Sequence, residues 1–196
     1  MKEKAHFNPK SLTWLISLGV MIVICAGVIF GTIAIDNLAN KKYNEPVGIG
    51  FTVSSSKPVD ISSLNADEYN VTAVEEAYDN SGKTVAYIVE SATVGYNQES
   101  PIKMETIISA DGTLVCGIDI LEQKETEYLG VRIVEDGFKN QFTGRYLPVK
   151  VSTDTDKGSS IDAIANATIS SRAVIDGVNK AQDFVQANFE SAKPAE

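Results

Sequence analysis

The chain has 196 residues, 43% of them hydrophobic, with 17 basic and 26 acidic side chains and a net charge of −9. That acidity excludes nucleic acid as a partner and argues against anionic lipid surfaces for the polar part, since both repel a negative protein. The one histidine, His6, is N-terminal, and Cys25 and Cys116 lie far apart with no Cys-x-x-Cys spacing, so His-assisted nucleophiles, His-ligated zinc or haem, and thiolate clusters are excluded from most of the chain. Redox or transfer chemistry here must come from a bound cofactor.

Residues 1–11 carry Lys2, Lys4 and Lys10, and residues 12–35 form an uncharged apolar run. As a helix, that run crosses about 30 Å of hydrocarbon with some tilt, so it predicts one transmembrane helix. Three lysines before it and Asp36 directly after it place residues 1–11 in the cytoplasm and the rest outside, by the positive-inside rule. A cleaved signal peptide is the rival reading, but the apolar core is longer than a signal core, and Ile24 before Cys25 is unlike a lipoprotein site. Without the three lysines and one glutamate of the first 35 residues, the remainder carries a net charge of −11.

Residues 36–70, with Pro46, Gly48, Gly50, Ser54, Ser55, Ser56 and Pro58, read as a linker leading into a domain at 71–190, with a C-terminal tail at 191–196. Strand-like segments 71–78 and 84–94 flank the turn-forming Asp79-Asn80-Ser81-Gly82 and predict a hairpin. A second hairpin is clearer: Ile102, Met104, Thr106 and Ile108 alternate with Lys103 and Glu105, Asp111-Gly112 turns the chain, and Leu114, Cys116, Ile118 and Ile120 resume the alternation. Leu129, Ile133, Val134, Phe138 and Phe142 recur at helical spacing, with Gly137 and Gly144 as breaks. Val149 and Val151 predict a short strand. Residues 171–190 predict a C-terminal helix with Val174, Val178, Ala181, Val185 and Phe189 along one stripe. The fold class expected is α+β, a mainly antiparallel sheet packed by helices behind the membrane helix.

Before that last helix runs Ile161-Asp162-Ala163-Ile164-Ala165-Asn166-Ala167-Thr168-Ile169-Ser170-Ser171. Ser170 and Ser171 are acceptable N-caps, and free helix N–H groups with the positive dipole end favour a phosphate. The segment resembles the flavin attachment motif of the FMN-binding domains of the RnfG and NqrC subunits of ion-pumping redox complexes, with Ala165 in place of Ser or Thr and Asn166 in place of Gly. Asn tolerates a positive φ, so the turn survives the exchange. The resemblance covers roughly residues 71–186 and includes Gly95-Tyr96, the Asp111-Gly112 turn, Glu125-Thr126-x-x-Leu129-Gly130 and the stretch from Phe138 to Gly144. In the Glu125 loop, Glu127 and Tyr128 replace Pro and Gly, leaving two readings for Tyr128: stacking on the flavin or crowding it.

The resemblance implies FMN held covalently through Thr168, with Glu125, Thr126, Leu129, Gly130, Ala167 and Ser170 as cofactor-binding residues and Asp162 as a recognition element for the flavin transferase that attaches FMN from FAD. It implies no catalytic side chain and no metal. It also implies an electron-transfer subunit of an Rnf-type membrane complex that couples electron transfer between ferredoxin and NAD to translocation of Na+ or H+. The partners would be the other subunits, the flavin transferase and the lipid bilayer. An NqrC-like subunit of a Na+-translocating quinone reductase is the near alternative, and a flavin-free, membrane-anchored binding module of the same fold is the distant one.

Overall fold

The computed structural model describes residues 48–189. The expected membrane run at 12–35, the segment 1–11 and the tail 191–196 lie outside the described residues. Among those described, no helix is long and apolar enough to cross a membrane.

Six strands follow one another as an antiparallel meander in the order β1 to β6. They are β1 Ser55–Pro58, β2 Val71–Tyr78, β3 Thr84–Thr93, β4 Ile102–Ser109, β5 Leu114–Glu122 and β6 Arg145–Tyr146. Both hairpins form where the alternation predicts them, with Asp79 and Asp111 each accepting backbone and hydroxyl hydrogen bonds across their turns. Strand β4 buries Ile102, Met104, Thr106 and Ile108 on one face and carries Lys103, Glu105 and Ile107 on the other. This period-two pattern sets the register, because a one-residue slip would put the apolar set in water. Strand β1 lies within the stretch 36–70 expected as a linker and adds an edge to β2.

The C-terminal helix, α2 (Thr168–Asn188), lies across β3 and β4. Its expected stripe is buried: Val174, Val178, Ala181 and Val185 are all inaccessible, as is Phe184. Each such large side chain contributes about 1.5–3 kcal/mol on burial. Gly177 lets the helix sit low, since a Cβ there would come within 2.7 Å of Met104 Sδ and 2.8 Å of Thr93 Cγ2. Phe189, just past the helix, stacks on Tyr87 with ring centroids 4.3 Å apart.

The helical stretch expected from Leu129 to Phe142, with a break at Gly137, is a 3-10 turn at Gly130–Val134 and a single α turn, α1, at Asp136–Lys139, broken at Glu135 rather than at Gly137. The apolar spacing there is real, and Ile133, Phe138 and Phe142 are all core. Glu135, with extended φ and ψ, breaks the segment so that each short piece can press its side chains inward. Strands β7 (Val149–Val151) and β8 (Ser159–Ile161) form a separate parallel pair. Asn179 of α2 clamps the pair to the helix, accepting from Val149 N at 2.9 Å and donating to Val149 O at 2.8 Å. Strand β8 then delivers the chain into the turn that precedes α2.

Candidate functional site

That turn is built by small residues. Ala167 N donates to Ile164 O at 3.0 Å, and Asn166 takes a left-handed φ of 63°, as expected of the residue in the glycine position. Helix α2 begins at Thr168 rather than at Ser171, so the two serines expected as N-caps lie inside its first turn. Ser171 Oγ accepts from Ile164 N and donates to Ala167 O, both at 3.0 Å, and thereby ties the turn to the helix. Ala167 is the capping residue and supplies no side-chain hydrogen bond, which leaves the first N–H groups of the helix without a side-chain acceptor. Thr168 is exposed at the first helical position.

Ser170 points the other way. Its buried hydroxyl donates to Glu125 Oε2 at 2.5 Å, and Glu125 also accepts from Tyr96 N at 3.0 Å and Asn97 N at 3.1 Å. Glu125 is 6% exposed and joins the loop after β3, the loop after β5 and the start of α2. Gly130 packs against it so closely that a Cβ would meet Glu125 Cβ at 2.7 Å and Ser170 Oγ at 2.8 Å. Gly95 is likewise confined, since a Cβ there would run into the Glu125 carboxylate.

Around this junction opens a cleft of about 340 Å³ lined by Tyr96, Thr126, Leu129, Gly130, Asn166, Ala167, Thr168, Ile169 and Ser170, of a size that suits a small organic ligand. The structure thus brings together Thr126, Leu129, Gly130, Ala167, Thr168 and Ser170 from the expected set. Glu125 is not among the lining residues and stands behind the wall, holding its loops in place. Asp162 also lies off the cleft, exposed, with its backbone gripped by the Gln141 amide at 2.8 and 3.3 Å. Tyr128 is 80% exposed with φ of 62° and does not line the cleft. Tyr96, Asn166 and Ile169 line it without having been expected there, although Gly95-Tyr96 belonged to the resemblance and was the available signal for Tyr96.

No lining residue carries a formal charge, so the cleft has no general acid or base and no side-chain cation. What it offers an anion is the start of α2, by N–H groups and dipole. What it offers a planar aromatic group is apolar surface left in water: Tyr96 is 61% exposed, Ile169 55% and Leu129 37%. These features fit a ligand that joins an anionic group to a planar, largely apolar one, as FMN does. One turn further along α2, Arg172 makes two 2.7 Å hydrogen bonds to Asp154 and so holds that carboxyl below its ordinary range.

Known proteins resemble this chain both in sequence and in fold. The sequence profile of the FMN-binding domain matches residues 95–183, which include the whole cleft. The chain is 36% identical over 131 residues to the G subunit of the ion-translocating oxidoreductase complex of Methanosarcina acetivorans, covering 67% of this chain and 68% of that one. It is 30% identical over 125 residues to the G subunit of the proton-translocating ferredoxin:NAD(+) oxidoreductase complex of Clostridium ljungdahlii, covering 62% and 66%. The crystal structure of the C subunit of the Na(+)-translocating NADH-quinone reductase from Parabacteroides distasonis superposes with a TM-score of 0.53 at 16% identity, over 74% of this chain and 80% of that one, which shows a shared fold. The chain belongs to the RnfG family, the G subunits of ion-translocating oxidoreductase complexes, and carries that family's FMN-binding domain.

Proposed function

We propose that this chain is the electron-transfer subunit of an Rnf-type membrane complex that couples electron transfer between ferredoxin and NAD to translocation of Na+ or H+, and that it carries FMN covalently on Thr168. The observation that carries the reading is the exposed Thr168 hydroxyl at the first position of α2, opening onto an uncharged cleft walled by Tyr96, Leu129 and Ile169. The sequence relatives favour an Rnf-type over a quinone-reductase complex, because both are G subunits while the likeness to the quinone reductase is one of fold. Asn166 and Tyr128 both hold a positive φ, so the departures from glycine preserve the backbone path and do not argue for an empty module.

Attachment would move the FMN group from FAD to Thr168 Oγ1, with AMP leaving and the hydroxyl proton released, in a reaction run by a flavin transferase that reads the exposed Asp162. The bound isoalloxazine would supply the electron acceptance and return that the side chains cannot. The chain's own residues would fix the phosphate with the first N–H groups of α2 and shield the ring from water with the apolar wall. Residues 12–35 would anchor the protein as a single span, with residues 1–11 cytoplasmic and the FMN domain on the extracytoplasmic side. That run has no Asp, Glu, Lys, Arg or His, so ion translocation would belong to the other subunits.

The test is to co-express the full chain with a flavin transferase and read denaturing-gel fluorescence and intact mass. The expected result is a fluorescent band with the added mass of one FMN on the Thr168 peptide, lost in Thr168→Ala while the fold survives. An unmodified mass in the parent chain, or unchanged flavin in Thr168→Ala, would overturn the assignment.

A further inference from the structure

The segment that brings Thr168 to its place is held at two separate points. Downstream, the turn from Ile164 to Ala167 is closed by its own bonds: Ala167 N donates to Ile164 O, while Ser171 Oγ accepts from Ile164 N and donates to Ala167 O. Upstream, both backbone polar groups of Asp162 are met by one side chain. Gln141 Oε1 accepts from Asp162 N at 2.8 Å, and Gln141 Nε2 donates to Asp162 O at 3.3 Å. An amide suits this task because it sets a donor and an acceptor side by side, as a neighbouring strand would.

Gln141 reaches Asp162 from a fixed base. It lies just past α1, next to Phe142 and three residues after Phe138, and those two buried rings meet edge to face with centroids 5.4 Å apart. Its N–H donates to Phe138 O at 3.2 Å, and its C=O accepts from Arg145 Nε at 3.1 Å. Lys139 of α1 bonds Asp119 of β5 at 2.8 Å and ties the base to the sheet. Asn179 grips Val149 in the same two-point way, but there the grip secures a strand. At Asp162 it secures one exposed residue that does not line the cleft. What the grip fixes is the direction in which the Asp162 carboxylate leaves the chain.

We propose that Gln141 is a positioning residue for flavin attachment, which presents the Asp162 carboxylate to the flavin transferase in one orientation. This rests on the assignment of FMN to Thr168 and of Asp162 to the transferase. In that reaction Thr168 Oγ1 forms the new bond to the FMN phosphorus of FAD, the anhydride bond breaks, AMP leaves with the electron pair, and the hydroxyl proton goes to solvent. Gln141 takes no part in these steps and acts before them. Without its grip the Asp162 backbone adopts other orientations, and the apparent affinity of the transferase falls with the fraction of chains that still present the carboxylate correctly. Thr168 keeps its place through Ser171 and Ala167, so the chemical step is spared.

The experiment uses the full chain, purified in detergent from cells without the transferase, as substrate for the purified enzyme at saturating FAD, with attachment followed by gel fluorescence and intact mass. Gln141→Met keeps the length of the side chain and removes both hydrogen bonds, and it should raise the KM for the chain about tenfold while kcat stays within about twofold of the parent. Gln141→Ala removes the same bonds by truncation and should agree with it. Hydrogen exchange should quicken at Asp162 N in both variants and stay at the parent rate at Ile164 N and Ala167 N. A parent KM in the variants, a loss confined to kcat, or faster exchange at Ile164 and Ala167 as well would overturn the inference while the attachment stands. A parent chain that stays unmodified removes the attachment itself, and the role of Gln141 with it.

Discussion

Replacing Glu125 tests whether one buried carboxylate holds the cleft together. In Glu125→Ala, three donors lose their acceptor at once: Tyr96 N–H, Asn97 N–H and the Ser170 hydroxyl. Their costs differ with their surroundings. The loop bearing Tyr96, itself 61% exposed, can open and give its two N–H groups to water, whereas the Ser170 hydroxyl is 1% exposed and stays stranded. At about 1–3 kcal/mol for a buried unsatisfied group, the variant should lose about 2–3 kcal/mol of stability. Glu125→Gln keeps one acceptor oxygen but turns an amide toward one of the N–H groups, and should lose about 1 kcal/mol. The assay is urea unfolding of the full chain in detergent followed by far-ultraviolet circular dichroism, because the one tryptophan, Trp14, lies in the apolar run outside the domain. Hydrogen exchange at residues 96 and 97 should quicken in parallel. A loss below about 0.5 kcal/mol for Glu125→Ala would refute the reasoning, since it would mean that the two loops and the start of α2 hold their places without the carboxylate.

Three other substitutions probe the packing and titration of the domain. Gly130→Ala should destabilise by about 1–3 kcal/mol through overpacking against Glu125 and Ser170 and lower FMN per chain, whereas Gly137→Ala, with nothing within 4 Å of its Cβ, should be neutral or slightly stabilising in the same urea and absorbance measurements. Burial, aided by the Asp111 charge, pushes the Cys116 thiol from 9.0 up to about 11. Between those values the unfolded chain sheds the proton that the folded one keeps, so stability should fall as pH rises through this window, by at most about 1.4 kcal/mol per pH unit. Urea midpoints on either side of the window should show that fall in the parent and a flatter profile in Cys116→Ala.

Much of this molecule was legible in the amino-acid order because the governing interactions are local or periodic. Alternation at residues 102–108 and 114–120 sets which face of each strand is buried, and Asp111-Gly112 sets the turn between them. The stripe from Val174 to Val185 sets the face of α2. The Asn166-Ala167-Thr168 turn was readable from the tolerance of Asn for positive φ. The tertiary structure decided what depends on chain segments far apart. Residues 129–142 have helical spacing but form two short pieces, because Ile133, Phe138 and Phe142 must reach one core around the break at Glu135. Ser170 and Ser171 look like caps in the sequence, yet the helix starts at Thr168 and each serine bonds elsewhere. Above all, Glu125 reads as a cofactor ligand by resemblance, and its role as the bolt behind the cleft emerges only when Tyr96, Asn97 and Ser170 arrive from three directions. A buried carboxylate is stable where the fold brings donors to it, and no stretch of sequence states where those donors will be.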